Sequence, residues 1–474
     1  MKAPRKILIG GEWIATKQSF EVFNPYTGKI AGHVCQAGKK EVDTAIKAAT
    51  KAFAQTRSMG SGKVAALLKR AVHGLIRRKK ELVDTIVAEA GKPVTLAGQE
   101  VDRTIITFTI AAEEATRCDG ELIPADVDPR GEGRYCIVKR FPVGVVAGIS
   151  PFNFPLNLVA HKVAPAIASR NTIVLKPSSK TPMTALLLGE ILTEAGIVPG
   201  QYNVVPCNRQ TGEILATDER IAKVTFTGSP PVGWRLKEIC GRKRITLELG
   251  GNAAAVVMDD ADIPWAVSRI VAGAYGYAGQ VCISVQRILI HRKIYAKTVR
   301  ALIAEIKRSA KVGDPKRPDV MVGPMIDGAA LLKTAEWVKE AVAGGAKVLT
   351  GGRRRGPCYE PTLLANVTRT MKVVCREAFA PVAVVQPFGT FDQAMNLVND
   401  SDFGLQMGIF TKNMASAFGA FERAEVGGVI VNDFPTFRVD NMPYGGVKMS
   451  GFGREGIKYA MEEMTERKVM VIRP

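Results

Sequence analysis

Two doubly wound α/β domains with a small extended ribbon are predicted by three observations. The chain has 474 residues, more than one ordinary domain holds. From about residue 142 to about Val431, short apolar runs alternate with helical stretches, the pattern of parallel strands joined by helices. Two further segments, Leu122 to Lys139 and Thr465 to Ile472, read as extended ribbon outside that alternation.

Taken in order, the N-terminal third is mostly helical from Glu41 to about Arg117. Val143 to Ile149, Asn171 to Leu175, Tyr202 to Val205 and Ala222 to Thr227 then read as strands, rich in Val and Ile, with helices at Leu156 to Ser169 and Pro182 to Glu194. A second set follows Glu248: strand Ala253 to Val257, helix Ile263 to Tyr275, strand Arg287 to His291 and helix Tyr295 to Lys307. Neither ribbon has a core of its own. Each must pair with the other or with another subunit, because an open strand edge invites aggregation.

Composition narrows the class. Apolar residues at 46% and aromatics at 7% allow substantial cores. No apolar run is long enough to span a bilayer, and Gly10-Gly11-Glu12-Trp13 interrupts any secretory segment after the basic start, so no membrane association and a cytoplasmic setting are expected. Eight Cys without a Cys-x-x-Cys pair, beside only four His, argue against a zinc ribbon or a disulfide scaffold, and no metal site is expected. The net charge of +20 permits nonspecific association with nucleic acid. No helix-turn-helix, zinc-finger or RNA-recognition pattern organises it, so no specific nucleic-acid partner is expected. The charge either decorates loops and helix faces, as at Arg353, Arg354 and Arg355, or draws in anionic cofactors and substrates.

The chemistry begins with Glu248-Leu249-Gly250-Gly251-Asn252, followed 34 positions later by Cys282 in Gly279-Gln280-Val281-Cys282. A thiolate attacks a carbonyl carbon and holds it covalently; a carboxylate activates the water that releases it. The glycines around both residues suggest backbone brought close to a ligand. Upstream, strand Ala222 to Thr227 runs into Gly228-Ser229-Pro230-Pro231-Val232-Gly233 and a helix. A glycine turn at a helix N-terminus offers free N–H groups and a dipole to a phosphate, although the Gly-x-x-x-x-Gly spacing is not the Rossmann fingerprint and an ordinary tight turn is the alternative.

Together with Asn24-Pro25-Tyr26-Thr27-Gly28, Ser150-Pro151-Phe152-Asn153-Phe154-Pro155, Lys176-Pro177-Ser178, Glu377-Ala378-Phe379-Ala380-Pro381 and Tyr444-Gly445-Gly446, these motifs resemble the NAD(P)-dependent aldehyde dehydrogenase superfamily over nearly the full length. The runs Phe437-Arg438 to Tyr444 and Cys282 to Arg287 look most like its lactaldehyde dehydrogenase-like branch. The resemblance implies an NAD(P)-binding Rossmann-like domain at 1–120 and 140–252, a catalytic α/β domain at 253–450, and an oligomerisation ribbon at 121–139 and 461–474 that builds a dimer or tetramer by pairing with another subunit.

It also implies roles. Cys282 attacks the aldehyde, Asn153 and the Cys282 N–H hold the oxyanion, hydride passes to the nicotinamide, and Glu248 activates water to hydrolyse the thioester. Lys162 matches a family lysine near the base's proton route; a solvated helix lysine is the alternative. For the cofactor, Lys176 matches the adenosine ribose contact, Ser229 the pyrophosphate, Glu377 the nicotinamide ribose, and Phe379 the nicotinamide flank. Ile149, Ser150, Pro151, Phe226, Gly228 and Leu249 fall along the same cleft. Ser179, where NAD-selective relatives often carry Glu, removes a repulsion of the 2′-phosphate, and Lys180 adds a cation, so NADP is expected to be accepted beside NAD.

Arg103, His161 and Arg438 are the substrate candidates, able to hold a hydroxyl, carboxylate or phosphate at the far end of a small aldehyde. As alternatives, Arg438 pairs with Asp440 or another carboxylate as scaffold, and His161 is pocket wall. Val281 before the nucleophile, where phosphonate-type relatives carry Arg, favours lactaldehyde over phosphonoacetaldehyde. Succinic semialdehyde and glyceraldehyde 3-phosphate are the other readings, and a non-catalytic basic binding protein is the alternative from a different class.

Overall fold

The computed structural model describes residues 3–117 and 120–474, so Met1, Lys2, Cys118 and Asp119 lie outside it. Its first sheet has eight strands. Five are parallel and lie in the order Tyr202–Val204, Thr172–Lys176, Val145–Ile149, Ile221–Thr227, Arg244–Glu248. Val145–Ile149 comes first in the chain and its successors lie on both sides of it. The helices therefore leave on opposite faces and a crevice opens at the carboxyl ends of the strands.

The sheet is not purely parallel. Ile7–Ile9 and Glu12–Ile14 close one edge antiparallel, and Gly451–Phe452 returns from the far end of the chain to pair antiparallel with Leu247 and Glu248. The sequence reading did not resolve the strands before Glu41: at three to six residues they are too short for a clear period of two.

A second sheet of seven strands places Ala253–Val257 beside Val285–His291 and Gln406–Phe410, all parallel, with only Lys347–Thr350 antiparallel at one edge. The strands and helices expected from periodicity lie within two residues of their observed limits. Helix Ile263–Tyr275 matches at both ends, capped by the Asp262 side chain on the Trp265 N–H with Pro264 in the first turn.

The ribbons were expected to pair with another subunit. Within the single chain they pair with each other: Thr465–Ile472 runs antiparallel to Tyr135–Pro142, which pairs with Glu121–Pro124. Eight consecutive backbone pairs join the first two, but the outer edges of Thr465–Ile472 and Glu121–Pro124 have no partner strand among the described residues, and the side chains of Leu122, Val469 and Val471 remain exposed.

Helix Asn157–Ala168 is buried at every position and crosses the middle of the first layer. Its N-terminus has no capping side chain of its own. Glu100, on helix Val94–Glu114, supplies one: its Oε1 accepts from the N–H groups of Leu156 (2.9 Å) and Asn157 (3.1 Å). Lys92, wholly buried with its Nζ 3.5 Å from the Phe154 ring centroid, pairs with the other Glu100 oxygen. Lys92→Met would leave Glu100 buried and uncompensated. We expect it to cost about 3–5 kcal/mol, read as a fall in the urea midpoint at unchanged m.

Candidate active site

A cavity of about 560 Å³ opens at the carboxyl ends of the parallel strands. Ile149, Ser150 and Pro151 line it after the first strand, Lys176 and Ser179 after the second. Phe226, Gly228, Ser229 and Leu249 line its next wall, and Glu377 and Phe379 reach it from the second sheet. Asn153 and Cys282 line the same cavity. One space thus joins most of the expected cofactor residues to the nucleophile.

The walls fit a dinucleotide. Helix Pro230–Ile239 begins at the cleft with prolines in its first turn, and Ser229 stands at the N-cap without spending its hydroxyl on a cap bond. Pro230 and Pro231 carry no N–H and the Val232 N–H donates to the Ser229 carbonyl at 3.1 Å, so the hydroxyl and the helix dipole face an anion here, not the free N–H groups of the first turn that were expected. Lys176, largely enclosed, has its pKa lowered by burial and lies against Gly212, where an added Cβ would meet its chain at 2.5 Å. Glu377 accepts the Gly251 N–H at 2.9 Å, and burial raises its pKa to about 7. Phe379 holds φ +51°, an unfavourable conformation for a bulky residue, and meets Phe152 edge-on at 5.8 Å.

Lys180 is placed differently from the expectation. It does not line the cleft, because its Nζ pairs with Asp327 at 3.1 Å. Arg209 and Lys333, which the sequence reading passed over, line the cleft instead. Of the glycines beside Glu248, Gly250 lines the cleft, and both also admit other protein groups: a Cβ on Gly250 would clash with the Glu377 carboxylate, and one on Gly251 would meet the Cys282 carbonyl at 2.5 Å. They bring the base, the nucleophile and Glu377 together rather than only clearing space for a ligand.

Cys282 Sγ lies 3.1 Å from the Tyr444 hydroxyl. The thiol opens on the cavity wall, yet the protein packed around it pushes its pKa up to about 11, with Glu377 and Glu248 adding to the rise and Tyr444 opposing it. Asn153 Nδ2 donates to the Gln280 carbonyl at 2.9 Å, which fixes the amide and leaves its second hydrogen for another acceptor.

Glu248, 2% exposed, has no hydrogen-bond partner on either carboxylate oxygen among the described residues. Burial, then the charge of Glu455, raise its pKa well above the usual carboxylate range, against the pull of Arg438 and Lys162. Lys162 is no solvated helix lysine: it is wholly buried and donates to Glu455 at 2.8 Å and Thr227 Oγ1 at 2.6 Å. Burial works against ionisation of Glu455 too, but the Lys162 charge holds its pKa below the usual range. One carboxyl is pushed toward its protonated form and its neighbour is held as an anion.

Arg103, His161 and Arg438 are brought together, but not as three free cations. Asp440 takes Arg103 in a fork at 2.7 and 3.3 Å and accepts from His161 Nε2 at 2.7 Å. Arg438 pairs with Glu455 at 3.5 Å rather than with Asp440, and stacks 3.7 Å from the Tyr444 ring centroid. Its Nε has no partner among the described residues. Burial, then the Arg438 charge, lower the His161 pKa, so its Nε2–H donates to Asp440 while Nδ1 faces Arg438. Among the described residues, no group of three or more His, Cys, Asp or Glu is placed to hold a metal, and no helix is long and apolar enough to cross a membrane.

The chain matches the aldehyde dehydrogenase family over residues 13–470. It is 42% identical to the 3-sulfolactaldehyde dehydrogenase of Priestia megaterium over 467 residues, 98% of this chain and 97% of that protein. It is 37% identical to the lactaldehyde dehydrogenase of Methanococcus aeolicus over 471 residues, 98% of this chain and 99% of that protein. The crystal structure of aldehyde dehydrogenase 21 from Physcomitrella patens, in complex with the reaction product succinate, superposes with a TM-score of 0.97 at 44% identity, covering 100% of this chain and 99% of that one. Solved neighbours of the fold hold NADP or NAD.

Proposed function

This chain belongs to the aldehyde dehydrogenase family, an NAD(P)-dependent enzyme of small aldehydes, and we propose that it oxidises a 2-hydroxyaldehyde of the lactaldehyde type to its carboxylic acid. The far end of that aldehyde carries either no charge or a single negative charge, read by Arg438. The observation that carries hydrolysis to the acid is Glu248, a buried carboxyl with both oxygens uncommitted and its pKa raised. A carboxylate whose pKa is raised takes a proton from water more readily than an ordinary one.

In this reading Cys282 Sγ bonds to the carbonyl carbon. The second hydrogen of Asn153 Nδ2 and the Cys282 N–H receive the oxyanion, each worth several kcal/mol in such sites. NAD or NADP, when bound, supplies the hydride acceptor. Glu248 then deprotonates the water that opens the Cys282 thioester, with Lys162 and Glu455 behind it to take the proton onward. A free thiol is the working form, so a reducing cytoplasm is the setting we assign.

For the cofactor, Lys176, Ser229 and Glu377 keep the parts given above, and Ser179 and Arg209, both on the cleft wall, support acceptance of the NADP 2′-phosphate. With this reading go the division into a cofactor domain (1–120, 140–252), a catalytic domain (253–450) and a ribbon (121–139, 461–474), and assembly into a dimer or tetramer. The exposed Leu122, Val469 and Val471 of the ribbon support assembly.

The test is NAD(P)H formation at 340 nm with lactaldehyde, 3-sulfolactaldehyde, succinic semialdehyde and glyceraldehyde 3-phosphate, with each cofactor at fixed salt. We expect the first two to give the highest kcat/KM and NADP to be used at least as well as NAD. Preference for succinic semialdehyde or glyceraldehyde 3-phosphate would reject the hydroxyaldehyde reading. An NADP kcat/KM far below that of NAD would reject the role of Ser179 and Arg209.

A further inference from the structure

A single row of contacts leads from the reacting thiol to the partly exposed Arg103. Tyr444 Oη is 3.1 Å from Cys282 Sγ, and the Arg438 guanidinium lies 3.7 Å from the Tyr444 ring centroid. Arg438 Nη2 donates to His161 Nδ1 at 3.3 Å, and His161 Nε2 donates to Asp440 at 2.7 Å. Asp440 ends the row, holding Arg103 and accepting from Asn157 Nδ2 at 3.3 Å. The Arg103 side chain is 30% exposed and that of Asp440 only 2%, so Arg103 is the member that faces outward.

The charges in this row are nearly balanced. Arg103, Arg438 and Lys162 are cations; Asp440 and Glu455 are carboxylates held in ionised form by those same partners. Burial pushes His161 toward its neutral form and Glu248 toward its protonated form. The Nε of buried Arg438 has no partner among the described residues. That guanidinium can receive one negative group of a ligand, while Arg103 is already taken by Asp440 and is not free for a second.

We propose that Asp440 is the specificity-determining residue for substrate charge: as resident counter-ion of Arg103, it occupies the cation that a second negative charge on the aldehyde would need. Neutral and singly charged aldehydes are accepted, and doubly charged ones, such as phosphorylated aldehydes near neutral pH, are turned away. Asp440 acts through Arg103 and His161 and touches neither the thiol nor the cofactor cleft, so it is a positioning residue. The inference rests on the substrate reading above.

The test compares kcat/KM for lactaldehyde, succinic semialdehyde and glyceraldehyde 3-phosphate in wild type, Asp440→Asn and the double variant Asp440→Asn/Arg103→Gln, at one salt concentration and saturating cofactor. In Asp440→Asn the ratio for glyceraldehyde 3-phosphate over lactaldehyde is expected to rise about tenfold or more, mainly through KM. Adding Arg103→Gln is expected to remove that gain. A purely structural role for Asp440 would lower kcat for all three substrates together and leave the ratio unchanged, which overturns the inference.

If Asp440→Asn does not fold, as judged by thermal melting, Arg103→Gln alone carries the test. It leaves Asp440 uncompensated, and the ratio for succinic semialdehyde over lactaldehyde is expected to fall about tenfold; an unchanged ratio overturns the inference. Wild type that turns over none of the three aldehydes sinks the substrate reading and this inference with it. Turnover of lactaldehyde with no shift in Asp440→Asn sinks this inference alone.

Discussion

Cys282→Ala is expected to lower NAD(P)H formation at least about 10,000-fold with every aldehyde, because the other thiol on the cavity wall, Cys207, lies beside Lys176 and Gly212 among the cofactor residues and has its pKa pushed up by burial. Cofactor affinity should persist, since Lys176, Ser229 and Glu377 are untouched and the substitution removes only one small side chain. Two measurements check this: steady-state absorbance at 340 nm, and titration of NADPH fluorescence on binding. A residual rate within tenfold of wild type would remove Cys282 from the mechanism. Loss of cofactor binding together with activity would mean that the variant has lost its structure.

Glu248→Gln separates the two halves of the reaction. Attack and hydride loss need Cys282, while release of the acyl group needs a base for water. We expect a burst of up to one NAD(P)H per active site, followed by a steady state about 100- to 10,000-fold slower than wild type. Rapid mixing reads the burst, and mass spectrometry reads the acylated Cys282.

The pH profile carries a second signature. Burial raises the Glu248 pKa, so below that value the group is a neutral acid and cannot take a proton; above it, it is the working carboxylate. The wild-type hydrolytic rate should therefore climb as pH rises through the Glu248 pKa, and Glu248→Gln should flatten that limb. A variant that keeps both the steady-state rate and the limb would assign the base elsewhere, and Glu377, itself raised to about 7, is where to look next.

Much of this architecture was legible because strand and helix periods are local. Ala253–Val257 and Ile263–Tyr275 carry their own apolar pattern and caps, and both were readable to the residue. Cys282, Glu248 and Asn153 were legible through their neighbours in sequence. The partners that tune them were not. Glu455 lies 293 positions from Lys162, and Asp440 lies 337 from Arg103, and nothing local tells a buried carboxylate from one on a solvated turn. Lys180 shows the same limit in reverse. Its sequence position suited a phosphate, but Asp327, 147 positions on, competes for its charge across the fold. Arg209 and Lys333 were hidden among 65 basic residues, and only their placement on the cleft wall singles them out.

The return of Gly451–Phe452 to the edge of the first sheet has a consequence for how activity arises during synthesis. Tyr444, beside the thiol, and Glu455, beside Lys162, flank that short strand and arrive with it. A ribosome-bound chain emerges from its N-terminus, and its domains gather as units. The two large sheets can thus assemble, with Cys282 and Glu248 already in place, while Lys162 still lacks its counter-ion and Arg438 its stacking partner. Turnover then begins only when Gly451–Phe452 is stitched in, so a nascent chain, or one clipped before that strand, is a cofactor cleft without a finished engine.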